Sequence, residues 1–334
     1  MIAVIGEALI DLVVGGDGDV AAHPGGGPFT TARALARLGV PAVFAGGLSD
    51  DGFGRLLRSR LDADGVVFGL PSLSSLPTTL AVADLDDDGA ARYHFYLDRT
   101  AAADVEYDAL RTGLAALPGL AALPGLAALA GLAALPGSAA ASDSLSAVHV
   151  GTLGLVAEPV ASSAERLVTE GLPPGTLVMV DPNCRPGAIA DRDAYLGRLS
   201  RIVARADIVK ASADDMAYLM PDAPVSRAAG ALLDQGAALV IVTDGPRPAA
   251  AFLPSGREIR VDAPVVDVVD TIGAGDTFGA AFLARWLGHG MTRVDSAGTD
   301  AIRDALAFAA AAAAVTCTRA GAEPPYLAEL TGRP

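Results

Sequence analysis

Val268-Val269-Asp270-Thr271-Ile272-Gly273-Ala274-Gly275-Asp276-Thr277-Phe278-Gly279-Ala280-Ala281-Phe282 is the stretch that decides the fold. A β-branched apolar run ends at Asp270 and reads as a strand. A glycine turn follows, Gly273 to Gly275, and a helical run extends from Thr277 to Trp286. Strand, glycine turn and helix start together make an anion site. The glycines let the backbone approach a ligand, and the first helical N–H groups point at it. Asp276 places a carboxylate in the middle of that site. An acid is poorly suited to binding phosphate, but well suited to taking a proton from a hydroxyl that attacks a phosphate held by those N–H groups. A dinucleotide-binding turn is the nearest rival. It needs a third glycine where Phe278 stands, and it normally opens a first βαβ unit, whereas this segment lies late in the chain.

The 334 residues can bury a large core, and the formal net charge of −15 argues against a nucleic-acid or anionic-membrane surface. Cys184 and Cys317 lie far apart, so neither a disulfide framework nor a zinc site is expected. His23, His94, His149 and His289 show no metal-ligand spacing. The first residues lack a basic region and read as a strand, and the alanine tract Ala309–Ala314 is too short to span a bilayer. The expectation is a cytoplasmic protein with no membrane or nucleic-acid partner. Lys210 is the only lysine among 24 basic residues, and Ala211 follows it. No lysine-bearing phosphate loop can be built, and the protein-kinase lysine in its V-A-I-K setting is missing. Phosphoryl chemistry is therefore expected to rest on backbone N–H groups and arginine.

Short apolar runs alternate with amphipathic stretches. Residues 2–5, 42–45, 147–150, 177–180, 208–210 and 239–242 read as buried strands. Thr30–Leu38, Phe53–Asp62, Pro159–Glu170 and Ser226–Gln235 read as helices. This alternation predicts an α/β fold with a mostly parallel sheet. Two segments break the rhythm. Residues 12–20 are polar and glycine-rich, and residues 78–98 hold two alternating runs, 79–84 and 91–96, joined by Asp86-Asp87-Asp88-Gly89. Asp-Gly between such runs predicts a hairpin. Leu-Ala-Ala-Leu-Pro-Gly recurs across residues 114–137. Its Pro-Gly punctuation prevents one long helix, so the segment is expected to be an insertion of short turns or loop.

Several polar residues sit where an α/β sheet presents ligand groups. Asp11 closes Gly6-Glu7-Ala8-Leu9-Ile10-Asp11 at the end of the first apolar run; its carboxylate suits sugar hydroxyls and equally suits a turn cap. Pro24-Gly25-Gly26-Gly27-Pro28-Phe29-Thr30-Thr31 leads a glycine loop into a helix, with Thr30 or Thr31 placed as N-cap. In Asp181-Pro182-Asn183-Cys184-Arg185, Arg185 offers the charge that a missing lysine would supply. Ser212 with Asp215 three residues on fits a helix capping box.

These motifs resemble those of the ribokinase-like (PfkB) sugar kinases. D-T-x-G-A-G-D-x-F resembles the family's second signature, and the Gly25–Gly27 loop with its helix resembles the first. G-E-x-L-I-D resembles the start of bacterial fructokinases, and Arg319 to Pro324 resembles the family's R-x-G-A-x-P ending. The resemblance covers nearly all of the chain outside the repeat. It implies one kinase domain over residues 1–334, a three-layer α/β/α sandwich with a mostly parallel central sheet. A small β-sheet lid is implied at about residues 12–22 and 78–100. It implies transfer of the γ-phosphate of ATP, with Mg2+, to a primary hydroxyl of a sugar, fructose being the best match. Ribose, 2-keto-3-deoxygluconate or a nucleoside are alternative acceptors. A non-catalytic sugar sensor and a nicotinamide-binding oxidoreductase are the alternatives from other classes.

By the same resemblance Asp276 is the base, and the N–H groups of Gly273, Ala274 and Gly275 hold the phosphoryl charge. Asp11, Gly25, Gly26, Gly27 and Thr30 face the sugar, joined from the lid by Tyr96 and Arg99. Asn183, Arg185, Ser212, Thr243, Gly245 and Ala310 lie on the nucleotide side. Asp215 organises Mg2+ through water, and Asp270 with the loop near Gly321 lies where some relatives bind a monovalent cation such as K+. The chain departs from the family at Thr30, where the sugar-binding Asn is expected, at Ser212 and Asp215 for Asn and Glu, at Pro248 for a glycine, and at Ala310 for an Asn. Exposed lid strands can pair between subunits, which would make a homodimer.

Overall fold

The computed structural model describes residues 1–15, 18–85, 91–117, 145–291 and 298–332. Among these, a nine-stranded sheet runs in the order β13-β12-β11-β10-β9-β8-β1-β4-β5. Its strands are β1 (Ile2–Ile5), β4 (Ala42–Phe44), β5 (Val67–Phe68), β8 (Ala147–Gly151), β9 (Leu177–Asp181), β10 (Ile208–Ser212), β11 (Leu239–Asp244), β12 (Arg247–Phe252) and β13 (Glu258–Val261). Every pairing from β5 to β11 is parallel; β12 and β13 add antiparallel strands at one edge.

The strands read as continuous apolar runs because both faces are covered. Ile2 and Val4 pack into one core with helices α1 (Gly27–Arg37), α2 (Gly52–Ala63), α8 (Ala274–Gly288) and α9 (Thr299–Cys317). Ala3 and Ile5 point the other way. They meet α3 (Tyr107–Ala115), α4 (Val160–Arg166), α5 (Arg192–Val203), α6 (Ala213–Leu219) and α7 (Val225–Asp234). The result is the expected three-layer sandwich. A last short helix, α10 (Leu327–Thr331), follows on the first of these faces. No helix among the described residues is long and apolar enough to cross a membrane.

The lid is a separate four-stranded sheet, β3-β2-β6-β7, made of β2 (Leu9–Val14), β3 (Val20–Gly25), β6 (Leu80–Leu85) and β7 (Ala91–Tyr96). β2 pairs with β6 in parallel and with β3 antiparallel. β6 and β7 pair antiparallel as the hairpin predicts, with Leu80 opposite Tyr96, although the turn residues 86–90 lie outside the described set. Most of the repeat does too: Leu114 and Ala115 end α3, and residues 118–144 are outside it.

Four expectations need correction. Asp11 does not end the first strand. That strand stops at Ile5, Gly6 turns the chain, and Asp11 belongs to the lid strand β2. α1 begins at Gly27 rather than at Thr30, because Pro28 fits the first turn of a helix and Gly26, at φ 109, takes the cap. Thr30 is thus inside the helix, its N–H bonded to the Gly26 carbonyl at 2.9 Å. Pro159–Glu170 is not one regular helix: α4 ends at Arg166 and a π turn spans Leu167–Gly171. Finally, the run ending at Asp270 is not a strand. Its backbone is tied to the end of α9, with Val269 N–H donating to the Cys317 carbonyl at 2.8 Å, and Val265, Val268 and Val269 face outward. β13 is the last strand of the sheet on that side, and the run does not pair with it.

Candidate active site

After β1 the chain passes to β4 and β5 on one side, and β8 onward builds the other side. The sheet's switch point therefore lies between β1 and β8, where α/β sheets hold ligands beyond the carboxyl ends of their strands. A cavity of about 480 Å3 opens there, between the sheet and the lid. Its wall includes Asp11, Gly25, Gly26, Gly27, Thr30, Asn183, Arg185, Gly273, Gly275 and Asp276. Segments dispersed over the whole chain thus meet in one space.

Asp276 sits in the first turn of α8. Gly273 caps that helix in the left-handed region, at φ 77. The Thr277 N–H returns to the Gly273 carbonyl at 2.9 Å, and the Ala274 N–H bonds the Thr271 carbonyl at 3.2 Å. Ala274 is thereby engaged within the turn, and the exposed face of the turn is at Gly275. The carboxylate of Asp276 lies against the other loop: a Cβ at Gly27 would stand 3.0 Å from Asp276 Oδ1. Burial pushes the Asp276 carboxyl above its ordinary range, while Lys210 and Arg185 pull it back. Asp11 is pushed up to about 6, by burial first, with Arg185 opposing and Asp276 adding to the rise.

Glu7 is a functional candidate that sequence reading missed. It is 2% exposed. Its Oε1 accepts the Gly27 N–H at 3.1 Å and its Oε2 the Gly154 N–H at 3.2 Å. One carboxylate therefore ties the start of α1 to the turn after β8. Burial raises its pKa to about 8 against those hydrogen bonds. The available signal was a charged residue two positions after an apolar strand. Thr152, in a 3-10 turn over Thr152–Leu155, was also missed; its Oγ1 accepts from Asn183 Nδ2 at 3.2 Å.

The lid presents Tyr93 and Phe95 to the cavity, their rings stacked at 6.1 Å, above Leu9, Ala81 and Leu153. Tyr96 is on the opposite face of β7, 60% exposed, and neither it nor Arg99 lines the cavity. Strand alternation left both faces open; pairing with β6 decides between them.

Of the residues expected on the nucleotide side, Asn183 and Arg185 line the cavity, and Ser212, Thr243, Gly245 and Ala310 stand outside its wall. Ser212 caps α6 with Asp215 in a full capping box. Asp215 Oδ2 accepts from both the N–H and the hydroxyl of Ser212 at 2.7 Å, and its Oδ1 accepts the Cys184 N–H at 2.6 Å. That acid is already hydrogen-bonded through both oxygens. Thr243 and Gly245 occupy the end of β11 and the turn after it, and Ala310 is buried in α9. Asp270 accepts the Ile272 N–H at 3.0 Å and the Gly321 N–H at 2.8 Å, holding the carboxy-terminal loop to the turn. Among the described residues no group of three or more His, Cys, Asp or Glu side chains is arranged to hold a metal ion. Mg2+ commonly reaches a site through substrate phosphates and a few waters instead of an all-protein cage.

One expectation about charge is overturned. Lys210 is in the cavity wall, with Nζ 2.7 Å from Asp181 Oδ2. Arginine is not the only cation available.

A model of the pfkB family carbohydrate kinases matches residues 1–116 and 122–328. The chain is 33% identical to a fructokinase of Rhizobium leguminosarum bv. trifolii over 288 residues, which is 85% of this chain and 79% of that protein. Its fold is similar to the crystal structure of a Xylella fastidiosa fructokinase with bound ATP. The TM-score is 0.81 at 26% identity, covering 99% of this chain and 97% of the other. It is also similar to an aminoimidazole riboside kinase from Salmonella enterica, solved with aminoimidazole riboside and an ATP analogue. Here the TM-score is 0.74 at 25% identity, covering 99% and 98%.

Proposed function

The chain belongs to the pfkB family of carbohydrate kinases, and from that premise we propose that it phosphorylates fructose in the cavity beneath the lid. It is an ATP-dependent sugar kinase. The observation that carries the catalytic assignment is the approach of the Asp276 carboxylate to Gly27. An acid on the anion turn and a loop for the acceptor meet across one small space.

The proposed step is a direct transfer. Asp276 takes the proton of a primary hydroxyl as that oxygen forms its bond to the γ-phosphorus. The bond from that phosphorus to the bridging oxygen breaks, and ADP leaves with the electron pair. Burial raises the affinity of Asp276 for a proton, which favours a base in this setting. The first-turn N–H groups of α8, with Gly275 foremost, oppose the charge on the phosphoryl oxygens. Asp11 and the Gly25–Gly27 loop orient the acceptor through its hydroxyls, with Thr30 beside them. Tyr93 and Phe95 exclude water, which would otherwise hydrolyse ATP.

The nucleotide is assigned to the edge bearing Asn183, Arg185, Ser212, Thr243 and Gly245. Mg2+ is assigned to its phosphates, within reach of Asp215 only through water, and K+ to the loop at Asp270. An assay of ADP release with a panel of acceptors tests the reading. Fructose is expected to give the highest kcat/KM. A tenfold preference for ribose, 2-keto-3-deoxygluconate or a riboside would reassign the acceptor.

A further inference from the structure

Lys210 is the only lysine of the chain, and it is 4% exposed. A buried ammonium is costly unless it is paired and positioned. Its side chain leaves β10 on the face covered by α8. A Cβ at Gly279 would come within 3.9 Å of Lys210 Cδ, and a Cβ at Gly275 within 3.1 Å of Nζ. Two glycines one helical turn apart thus leave room for the lysine stem to run beneath the first turns of α8. The ammonium ends under the anion turn.

One of its three N–H bonds goes to Asp181 Oδ2 at 2.7 Å. Asp181 is itself buried, and its Oδ1 has no hydrogen-bond partner. Beside the pair His149 is fully enclosed, with neither ring nitrogen bonded. Burial and Lys210 hold it far below its ordinary pKa, at about 3. A neutral imidazole and an incompletely satisfied carboxylate make an expensive cluster for packing alone.

Resting on the kinase reading above, we propose that Lys210 is a further catalytic residue, whose ammonium, presented by Asp181 beneath Gly275, contacts the phosphoryl group transferred at the anion turn. It acts as a fixed positive charge and keeps its proton throughout. The Lys210 ammonium, held by Asp181, then supplies from below the charge that a phosphate-loop lysine supplies elsewhere, and Arg185 supplies it from the side.

The test uses two measurements. In the double variant Lys210→Met, Asp181→Asn both charges of the buried pair are removed together, so no lone buried charge remains. The expected result is a folded enzyme with kcat lowered roughly a hundredfold and the acceptor KM within about threefold of wild type, the split of a contact made only in the transition state. A double variant with kcat within threefold of wild type would overturn the proposal. The second measurement does not depend on any variant folding. Lysine labelled with 13C at Cε gives one side-chain signal in this chain. It is expected to shift on addition of a non-hydrolysable ATP analogue with Mg2+, and to shift little with fructose alone. An unmoved signal at saturating analogue would also overturn the proposal. Failure of the kinase reading shows separately, as wild-type protein that releases no ADP with any acceptor.

Discussion

Asp11, Gly25, Gly27 and Asp276 stand around a cavity roofed by Tyr93 and Phe95, whereas Thr243 and Gly245 stand at the carboxyl end of β11 and in the turn after it, and Ala310 is inside a core. The acceptor half is made by two sheets closing on each other, so its polar groups are desolvated before any ligand arrives. Glu7, Asp11 and Asp276 all have raised pKa values for that reason. On the nucleotide half Ser212 and Asp215 satisfy each other. The contrast teaches that chemistry is concentrated where two layers converge.

If the comparison holds, the largest loss follows Asp276→Asn. That variant is expected to fold, to bind ATP by calorimetry, and to turn over a hundredfold or more slower. Turnover near wild type would remove the base from the acceptor half. Next comes Asp11→Ala, which removes a charged hydrogen-bond acceptor from a desolvated wall. The fructose KM should rise roughly tenfold to a hundredfold. An unchanged KM would take Asp11 out of the site. A smaller effect separates the faces of β7. Tyr93→Ala should raise the fructose KM by about threefold to tenfold, the scale of lost aromatic contact, and Tyr96→Ala should leave it unchanged. Equal effects would mean that the lid does not present one face. On the nucleotide half, Thr243→Ala should change the ATP KM by no more than about fivefold, as for one neutral hydrogen bond.

A separate effect is in stability against pH. Glu7 is raised from 4.5 to about 8, so between these values the folded protein holds a proton that the unfolded chain has lost. Stability contributed by this group therefore falls as pH rises from about 4.5 through 8. Glu7→Gln should flatten the decline of Tm across that window. A steeper decline in the variant would place the penalty elsewhere.

The alternation of strands and helices was legible because it is local: apolar periodicity and glycine punctuation need only neighbouring residues. The glycine turn that opens α8 was legible for the same reason, in the glycines around Asp276. What escaped depends on contacts distant in sequence. Asp11 reads as a strand end until β6 arrives some 70 residues later to pair with it in parallel, Asp11 opposite Ala81. The side of β7 that faces inward is fixed by that sheet's placement, so Tyr96 and Tyr93 looked alike. Lys210 seemed irrelevant because no lysine motif surrounds it. Its role depends on α8, more than 60 positions further along, lying across β10. Val265–Val269 had the residues of a strand, yet its end is tied to the Cys317 carbonyl instead of to a ladder.

Arg33 carries one more consequence. Its guanidinium is 2% exposed on α1, bonded to Asp64 Oδ2 at 2.7 Å, to the Ala322 carbonyl at 3.3 Å and to Glu323 at 3.1 Å. Asp64 is made soon after Arg33, but Glu323 lies 290 residues away. At about 5 to 20 residues per second a ribosome needs roughly 15 to 60 s to reach it. During that interval the helix that opens the acceptor loop lacks its distal anion, and Gly273 lacks Ala322 behind it. The nascent chain can lay down its strands in order, yet the cavity closes only when the carboxy-terminal loop docks. Synthesis therefore separates having a sheet from having a site.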